Sequence, residues 1–325
     1  MAMLEDLLNK EPHVISESLN DKIFLIYGEA GTRKTSVAAQ FDNHLMAAFE
    51  IGYTFVSGVM AQPVQKWSEF KAFIRALSDP RMKEKYKTII IDTVTLAYSA
   101  CYSYILQQNG VEDIGDMAYG KGWRKIRSEF ESAILSIPQM GYGLVLIAHA
   151  SEIEEEDNFK AKVDIDKRPA AIIKGLADFI IYVQKDYKDG TEPLPANQTV
   201  YAYTNLVSIE TKTRSRYMPA KFEFTYENLK EALRSAIEKQ KEAEGITTTE
   251  KPFTPYLKKE IDVESLRQEV ADLAAELLQD DCPANGQAYE LITDILDVKI
   301  TETTAYHAEK LEILKEGLLD IKSKL

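Results

Sequence analysis

The chain reads Gly28-Glu29-Ala30-Gly31-Thr32-Arg33-Lys34-Thr35-Ser36 directly after the apolar run Ile23–Tyr27 and directly before a helical pattern that ends near His44. A buried strand, a glycine-containing loop and a helix in this order predict a phosphate-binding loop. The reason is that such a loop and the N-terminus of its helix present backbone N–H groups and a favourable dipole to an anion. We therefore expect all nine residues, 28–36, to contact the phosphates of a nucleotide.

Lys34 and Thr35 carry the chemistry expected of this loop. A lysine here reaches the β- and γ-phosphates, and the following hydroxyl holds Mg²⁺, so ATP and Mg²⁺ are the predicted cofactors. The usual pattern, G-x-x-x-x-G-K-[ST], has glycine where this chain has Arg33, although Gly31 restores part of the flexibility. The sequence leaves open whether Arg33 restrains the loop, contacts phosphate or points to solvent. The alternative is a strand–turn–helix with a chance Lys-Thr pair.

Three further polar residues end predicted strands. Asp92 follows the apolar run Thr88–Ile91, in a strand that we place beside the first one, and with Thr35 it is the expected magnesium site. Strand carboxyl ends face the ligand crevice of an α/β sheet. Glu50 is therefore expected to polarise the attacking water, and His149 to sense the γ-phosphate. With Lys34 they are the catalytic candidates; the alternatives are a surface Glu50 and a structural His149.

Strand–helix alternation from about residue 20 predicts an α/β fold with a mainly parallel sheet and right-handed crossovers. Antiparallel edge strands are expected over 201–210 and 221–224. After residue 226 a charged helix, a Thr/Pro/Gly-containing linker and two leucine stripes follow. We predict a core over 1–226, a helix and linker over 227–255, and a small helical module over 256–325, whose helices alternatively pack on the core.

Composition narrows the class of protein. The formal net charge is −13; residues 227–325 hold 13 Lys and Arg against 22 Asp and Glu, so most of the acidity lies in the tail. An acidic chain is not an obvious nucleic-acid binder, but a core closer to neutral allows a local basic channel. Cys101 and Cys282 fit neither a disulfide nor a metal spacing, as expected in a reducing cytoplasm. No window approaches the roughly 18 apolar residues of a membrane span, so we expect no membrane association.

The order of these parts resembles the RecA-like core of P-loop NTPases, most closely the phage nucleotide-binding proteins related to RecA-like single-strand annealing ATPases. The resemblance covers about residues 20–226. It rests on Tyr27-Gly28, Phe49-Glu50-Ile51-Gly52-Tyr53, Ile91-Asp92-Thr93, Met117-Ala118-Tyr119-Gly120-Lys121-Gly122-Trp123, Leu146-Ile147-Ala148-His149 and Ala177-Asp178.

The resemblance implies further roles. Glu50 matches the catalytic glutamate and His149 the polar switch that links the γ-phosphate to DNA. Asn109 to Gly122 and Ser151 to Pro169 match two DNA-binding loops, although the second contains an acidic run, Glu152 to Asp157, that opposes phosphate. The DNA-contact candidates are Lys121, Arg124, Lys160, Lys162, Lys167 and Arg168, with Tyr119 or Phe159 as stacking residues. The residues expected to enter a neighbour's ATP site are Lys212, Arg214 and Arg216.

Three functions remain open at this point. The first is an ATP-dependent phage protein of DNA recombination or single-strand annealing. It would act as a homo-oligomer in the cytoplasm of a bacterial host, with single-stranded DNA and phage or host replication or recombination proteins as partners. The second is a nucleotide-gated regulator or assembly factor that binds proteins through the helical module. The third is a ring helicase or packaging motor, which requires trans-acting basic residues.

Overall fold

A computed structural model describes residues 7–10, 12–117, 120–155, 158–186, 198–206, 208–253, 263–296, 298–303 and 308–325. For residues 152–155, 158–160, 308 and 309 it describes the backbone alone. The chain forms two compact units, Met1–Leu257 and Lys258–Leu325. None of the helices in these ranges combines the length and apolar character that a membrane-spanning segment requires.

The larger unit alternates strands and helices. Its strands are β1 (Ile15–Ser16), β2 (Ile23–Gly28), β3 (His44–Ala48), β4 (Ala61–Pro63), β5 (Thr88–Asp92), β6 (Gly143–Glu155), β7 (Asn158–Val163), β8 (Phe179–Lys185), β9 (Val200–Tyr203), β10 (Lys212–Thr213), β11 (Lys221–Glu223) and β12 (Thr248–Thr249). Its helices are α1 (Lys34–Ala38), α2 (Trp67–Leu77), α3 (Pro80–Lys85), α4 (Val94–Asn109), α5 (Lys121–Gln139), α6 (Lys167–Leu176) and α7 (Tyr226–Glu244).

The main sheet runs in the order β11-β9-β8-β2-β6-β5-β3-β4. The pairs from β8 to β4 are parallel, whereas β9, β10 and β11 join the β8 side antiparallel. The predicted α/β fold with a mainly parallel sheet is confirmed. The edge strand expected over 201–210 is shorter, because β9 ends at Tyr203.

The apolar strands are buried because helices cover both faces of the sheet. Leu25 and Tyr27 of β2 belong to one hydrophobic cluster, with Trp67 and Phe130 of the helices on that face. Phe24 and Ile26 belong to the other cluster, which contains Leu229 of α7. Alternate side chains of one strand thus enter two different cores, as the period of two requires. The charged helix expected after residue 226 is α7, and it packs on this sheet.

Strand order corrects one expectation. We placed the strand of Asp92 beside the first strand, but β6 lies between β2 and β5 and pairs with both in parallel. The pattern of an apolar run ending in an acid does not encode which strands are neighbours, since pairing joins residues far apart in the chain. As a result, the part of β6 that contains His149 lies between β2, which leads into the phosphate loop, and β5, which ends in Asp92.

The predicted second DNA loop, Ser151 to Pro169, is mostly regular structure. β6 continues to Glu155 and pairs antiparallel with β7, after which α6 begins at Lys167. The signal was the alternation of apolar and charged residues from Phe159 to Val163, which favours a strand. Ala161 and Val163 are buried, whereas Lys162 is half-buried. The loop prediction was therefore wrong for this segment.

The described residues of the smaller unit form three α-helices, α8 (Val263–Leu277), α9 (Asn285–Ile295) and α10 (Ala308–Lys322). Their leucine stripes meet in a separate hydrophobic cluster, in which Val270, Leu311, Leu314 and Leu318 are fully buried. This unit therefore has a hydrophobic core of its own.

Candidate nucleotide site

The phosphate loop begins where β2 ends. Gly28 pairs with His149 on one side and with Val183 on the other. A Cβ on Gly28 would lie 2.1 Å from the carbonyl oxygen of Val183, so no side chain fits there. Gly31 has a φ of 75°, in the left-handed region that favours glycine. The geometry of the loop therefore requires both glycines.

Arg33 adopts the backbone conformation that glycine ordinarily supplies. Its φ is 60° and its ψ is 21°, a left-handed conformation that costs an L-residue about 1–2 kcal/mol. The guanidinium donates a 3.2 Å hydrogen bond to the carbonyl oxygen of Gln198, in an exposed position. Helix α1 starts at the next residue. The substitution of arginine for glycine thus leaves the backbone path intact and ties the loop to the residues before β9.

Lys34 is buried at the base of the loop, with 6% of its surface exposed. Its ammonium donates hydrogen bonds to the carbonyl oxygens of Gly28 (2.9 Å) and Glu29 (2.7 Å), and Thr32 Oγ1 lies 3.4 Å away. Burial lowers the pKa of Lys34 to about 8, although the nearby carboxylates of Asp92, Glu50 and Glu29 oppose the shift. A polyanion in the loop would stabilise the charged ammonium.

Thr35 lies in α1, which follows β2, and Asp92 ends β5, so the two side chains meet although β2 and β5 are not neighbours. The Thr35 hydroxyl donates a 2.7 Å hydrogen bond to Asp92 Oδ2. Asp92 is 4% exposed, and burial raises the pKa of its carboxyl above the usual range, while the bond from Thr35 opposes part of that increase. A nearby cation would offset the cost of burying this charge. The pair has the chemistry of a magnesium site.

Glu50 and His149 face each other across the mouth of the loop. His149 Nε2 lies 3.2 Å from Glu50 Oε2, and both side chains are partly exposed. The backbone N–H groups of Phe49 and Glu50 both donate to the carbonyl oxygen of Asp92, at 2.7 and 3.0 Å. These hydrogen bonds fix the backbone where it leaves β3 and place Glu50 beside the Thr35–Asp92 pair. A carboxylate with one face in water is placed to accept a proton from a water molecule.

These groups line one cavity of about 280 Å³. Its lining residues are Ala30, Gly31, Thr32, Arg33, Lys34, Thr35, Ser36, Glu50, Gly52, Val56, Asp92, Thr93, Ile147 and His149. Within the part of the chain that the structure describes, no cluster of three or more His, Cys, Asp or Glu is able to hold a metal ion. One hydroxyl and one carboxylate suit Mg²⁺, which keeps several waters and binds substrate phosphates.

The three candidates for a neighbour's site lie away from this cavity. Lys212 pairs with Ile180 near the start of β8, at the opposite end of that strand from Lys185. Its ammonium donates to the carbonyl oxygen of Lys174 at 2.8 Å. Arg214 forms a 2.6 Å ion pair with Asp178, and Arg216 a 3.1 Å pair with Glu244. Their action on a neighbouring subunit stays a prediction.

Several of the DNA candidates come together at the starts of two helices. Lys121 and Arg124 are exposed in the first turn of α5, and Lys167 and Arg168 are exposed at the start of α6. The guanidinium carbon of Arg168 lies 3.8 Å from the centre of the Trp123 ring. Lys162 is half-buried in β7. Tyr119 and the side chains of Phe159 and Lys160 lie outside what the structure describes.

Sequence reasoning missed two residues at the rim of the loop, Lys185 and Gln198. Lys185 ends β8, two positions beyond the residue that pairs with Gly28, and its ammonium lies beside Gly31. Gln198 accepts the hydrogen bond from Arg33, and its own side chain donates to the carbonyl oxygen of Asp186 at 2.6 Å. Neither stands in a motif. The pairing of β8 with β2 brings Lys185 to the site, and the pairing of β9 with β8 brings Gln198.

Comparison with known families agrees with this geometry. Residues 20–217 match the family model described as an AAA domain. The chain belongs to the AAA domain family. It is an AAA-type P-loop protein, and the predicted P-loop NTPase core is confirmed.

A full-length relative is the SPbeta prophage-derived uncharacterized protein YorG of Bacillus subtilis (strain 168). It is 28% identical over 336 residues, which cover 98% of this chain and 99% of the relative. The prediction of a phage P-loop protein is confirmed by this match and the family match. Among solved structures, the KaiC-like protein of Pyrococcus horikoshii OT3 matches with a TM-score of 0.36 and 15% identity, over 63% of this chain and 86% of that one.

Proposed function

We propose that this protein hydrolyses ATP with Mg²⁺ and couples hydrolysis to single-stranded DNA in phage recombination or strand annealing. The observation that carries the ATPase part is the convergence of Lys34, the Thr35–Asp92 pair and the Glu50–His149 pair on one cavity. In this site a magnesium nucleotide supplies the phosphoryl group to be transferred. Lys34 neutralises phosphate charge, and Thr35 and Asp92 hold the metal.

Glu50 is the general base in this proposal. Its carboxylate accepts the proton of the attacking water, and the backbone bonds from Phe49 and Glu50 to Asp92 hold it in place. The His149 imidazole, 3.2 Å from the same carboxylate, positions it. A change at either member of the pair therefore reaches the other directly.

The DNA part is supported by the connection between His149 and the basic helix starts. The carbonyl oxygen of His149 accepts a 2.9 Å hydrogen bond from the N–H of Asp164, three residues before α6. Arg168, on the first turn of α6, stacks on Trp123 of α5. The stacked Arg168–Trp123 pair suits contact with the bases of single-stranded DNA. The exposed lysines at the two helix N-termini suit contact with its phosphates. Movement of His149 would thus be transmitted to this surface.

A homo-oligomer is also part of the proposal. Beside Glu50, the turn Gly52–Phe55 exposes Phe55 completely, and Ile51 is 74% exposed. Apolar side chains in such a position suit a protein contact. Light scattering with and without ATP tests this point, and a protein that stays monomeric with ATP would contradict it.

A second candidate, a nucleotide-gated regulator that binds proteins, is favoured by one observation. The unit Lys258–Leu325 has its own core and carries 8 Lys and Arg against 16 Asp and Glu. A surface of this charge repels DNA and suits a basic protein partner.

One experiment separates the two. Phosphate release from Mg-ATP is measured with and without single-stranded oligothymidine at low and high salt. We expect turnover that requires Mg²⁺, rises with the oligonucleotide and loses that rise at high salt. Turnover that is indifferent to DNA, together with no DNA binding in the presence of ATP, would transfer support to the regulator. Absence of ATP binding would contradict both.

A further inference from the structure

Lys185 extends from the end of β8 over the phosphate loop. β8 pairs in parallel with β2, with Val183 opposite Gly28, so Lys185 continues along the strand past the start of the loop. Its Nζ lies 3.1 Å, and its Cε 3.7 Å, from the point where a Cβ on Gly31 would stand. Because Gly31 has no side chain, the Lys185 ammonium is able to approach the loop backbone at this position.

Among the residues that the structure describes, none of the ion pairs with a carboxylate involves the ammonium of Lys185. Lys34 directs a second ammonium group at the same loop, from its base. Two ammonium groups directed at one small loop repel each other unless an anion lies between them. A phosphate chain is the anion that this loop is built to take.

We propose that Lys185 is a second phosphate-binding residue of the nucleotide site, which contacts the phosphate chain over Gly31 while Lys34 contacts it from the base of the loop. This inference rests on the proposed function of the site. The proposal also gives a second reason, besides the φ angle, for a glycine at position 31: a Cβ there would lie 3.1 Å from the Lys185 ammonium and crowd it. It also gives the site a cation from its own subunit beyond the P-loop motif.

The test compares Lys185→Ala with Lys185→Arg and with the matched control Lys239→Ala. Lys239 is exposed on α7, outside the site, and its removal changes the net charge equally. Dissociation constants of ATP, ADP and AMP are measured by calorimetry on the full chain. We expect Lys185→Ala to weaken ATP binding about tenfold, the effect of losing one charge-assisted hydrogen bond. The loss should be smaller for AMP. The arginine variant and the control should bind ATP as the parent does.

Each other outcome has a distinct meaning. ATP affinity of Lys185→Ala within twofold of the parent overturns the role of Lys185 and leaves the proposed function intact. An equal loss for AMP and ATP overturns phosphate recognition as its cause. A parent that binds none of the three nucleotides overturns the proposed function itself. If Lys185→Ala is unfolded by circular dichroism, Lys185→Gln replaces it in the same comparison.

Discussion

Two variants, Arg33→Gly and Arg33→Ala, separate the free-energy cost of the left-handed backbone at this residue from the contribution of its side chain. Both variants lose the exposed hydrogen bond to Gln198, worth about 0.5–1 kcal/mol. Only glycine relieves the left-handed conformation at φ 60°, which costs about 1–2 kcal/mol. The greater freedom of glycine in the unfolded chain offsets about 0.4–1 kcal/mol of this gain. We therefore expect Arg33→Gly to be more stable than Arg33→Ala by about 1 kcal/mol.

Thermal unfolding followed by tryptophan fluorescence measures this difference. Both tryptophans, Trp67 and Trp123, lie in the unit Met1–Leu257, so the signal reports that unit alone. A difference of this size corresponds to about 2–4 °C in Tm for a unit of this length. An alanine variant as stable as the glycine variant would refute the left-handed backbone at Arg33.

The same two variants test where the guanidinium points. Because it donates to Gln198, we expect both to bind ATP within about twofold of the parent, a change well below the loss of a charge-assisted hydrogen bond. A tenfold loss in both variants would show that Arg33 contacts phosphate instead. A tenfold gain in both would show that the tie to Gln198 restrains the loop.

Four further predictions concern the catalytic groups. Lys34→Ala should abolish ATP binding while the circular dichroism spectrum is retained, because it removes the phosphate cation; unchanged affinity by calorimetry would contradict the P-loop role. Glu50→Gln should bind ATP normally but hydrolyse it about 100-fold more slowly, as loss of a general base predicts; parent-like turnover would make Glu50 a surface residue. His149→Ala should lose stimulation by single-stranded DNA while its ATP affinity stays near that of the parent; full stimulation would rule out the switch. The pKa of Lys34 is about 8 and phosphate needs the charged ammonium, so ATP affinity should fall as the pH rises above about 8, whereas a flat profile between pH 7 and 9 would contradict this dependence.

Much of the site could be read from local sequence. The run Ile23–Tyr27 is apolar at every position, which is typical of a strand buried on both faces, and the structure contains β2 there. The residues that follow it, with Lys34 and Thr35, form a loop and a helix start as predicted. These features depend on neighbouring residues, because the period of burial and the backbone freedom of glycine act over a few positions.

The order of the strands, in contrast, could not be predicted from local sequence. The insertion of β6 between β2 and β5 places His149 next to Gly28 and within 3.2 Å of Glu50, although 99 positions separate the two side chains in the chain. The hydrogen bond between Thr35 and Asp92 likewise joins the start of α1 to the end of β5, a strand that does not pair with β2. No local pattern specifies these contacts, since they depend on which apolar strands pair.

The sequence by itself therefore determined the kind of site: a phosphate loop with a lysine, a hydroxyl and a later carboxylate. The tertiary structure alone decided which further residues lie at this site. It brought Lys185 beside Gly31 and the Arg33 guanidinium within hydrogen-bonding distance of the Gln198 carbonyl oxygen. It also placed Glu152–Glu155 in β6, paired antiparallel with β7. The physical reason is that strand pairing and burial bring together residues distant in the chain, whereas the chemistry of each residue and the local backbone preferences are already present in the sequence.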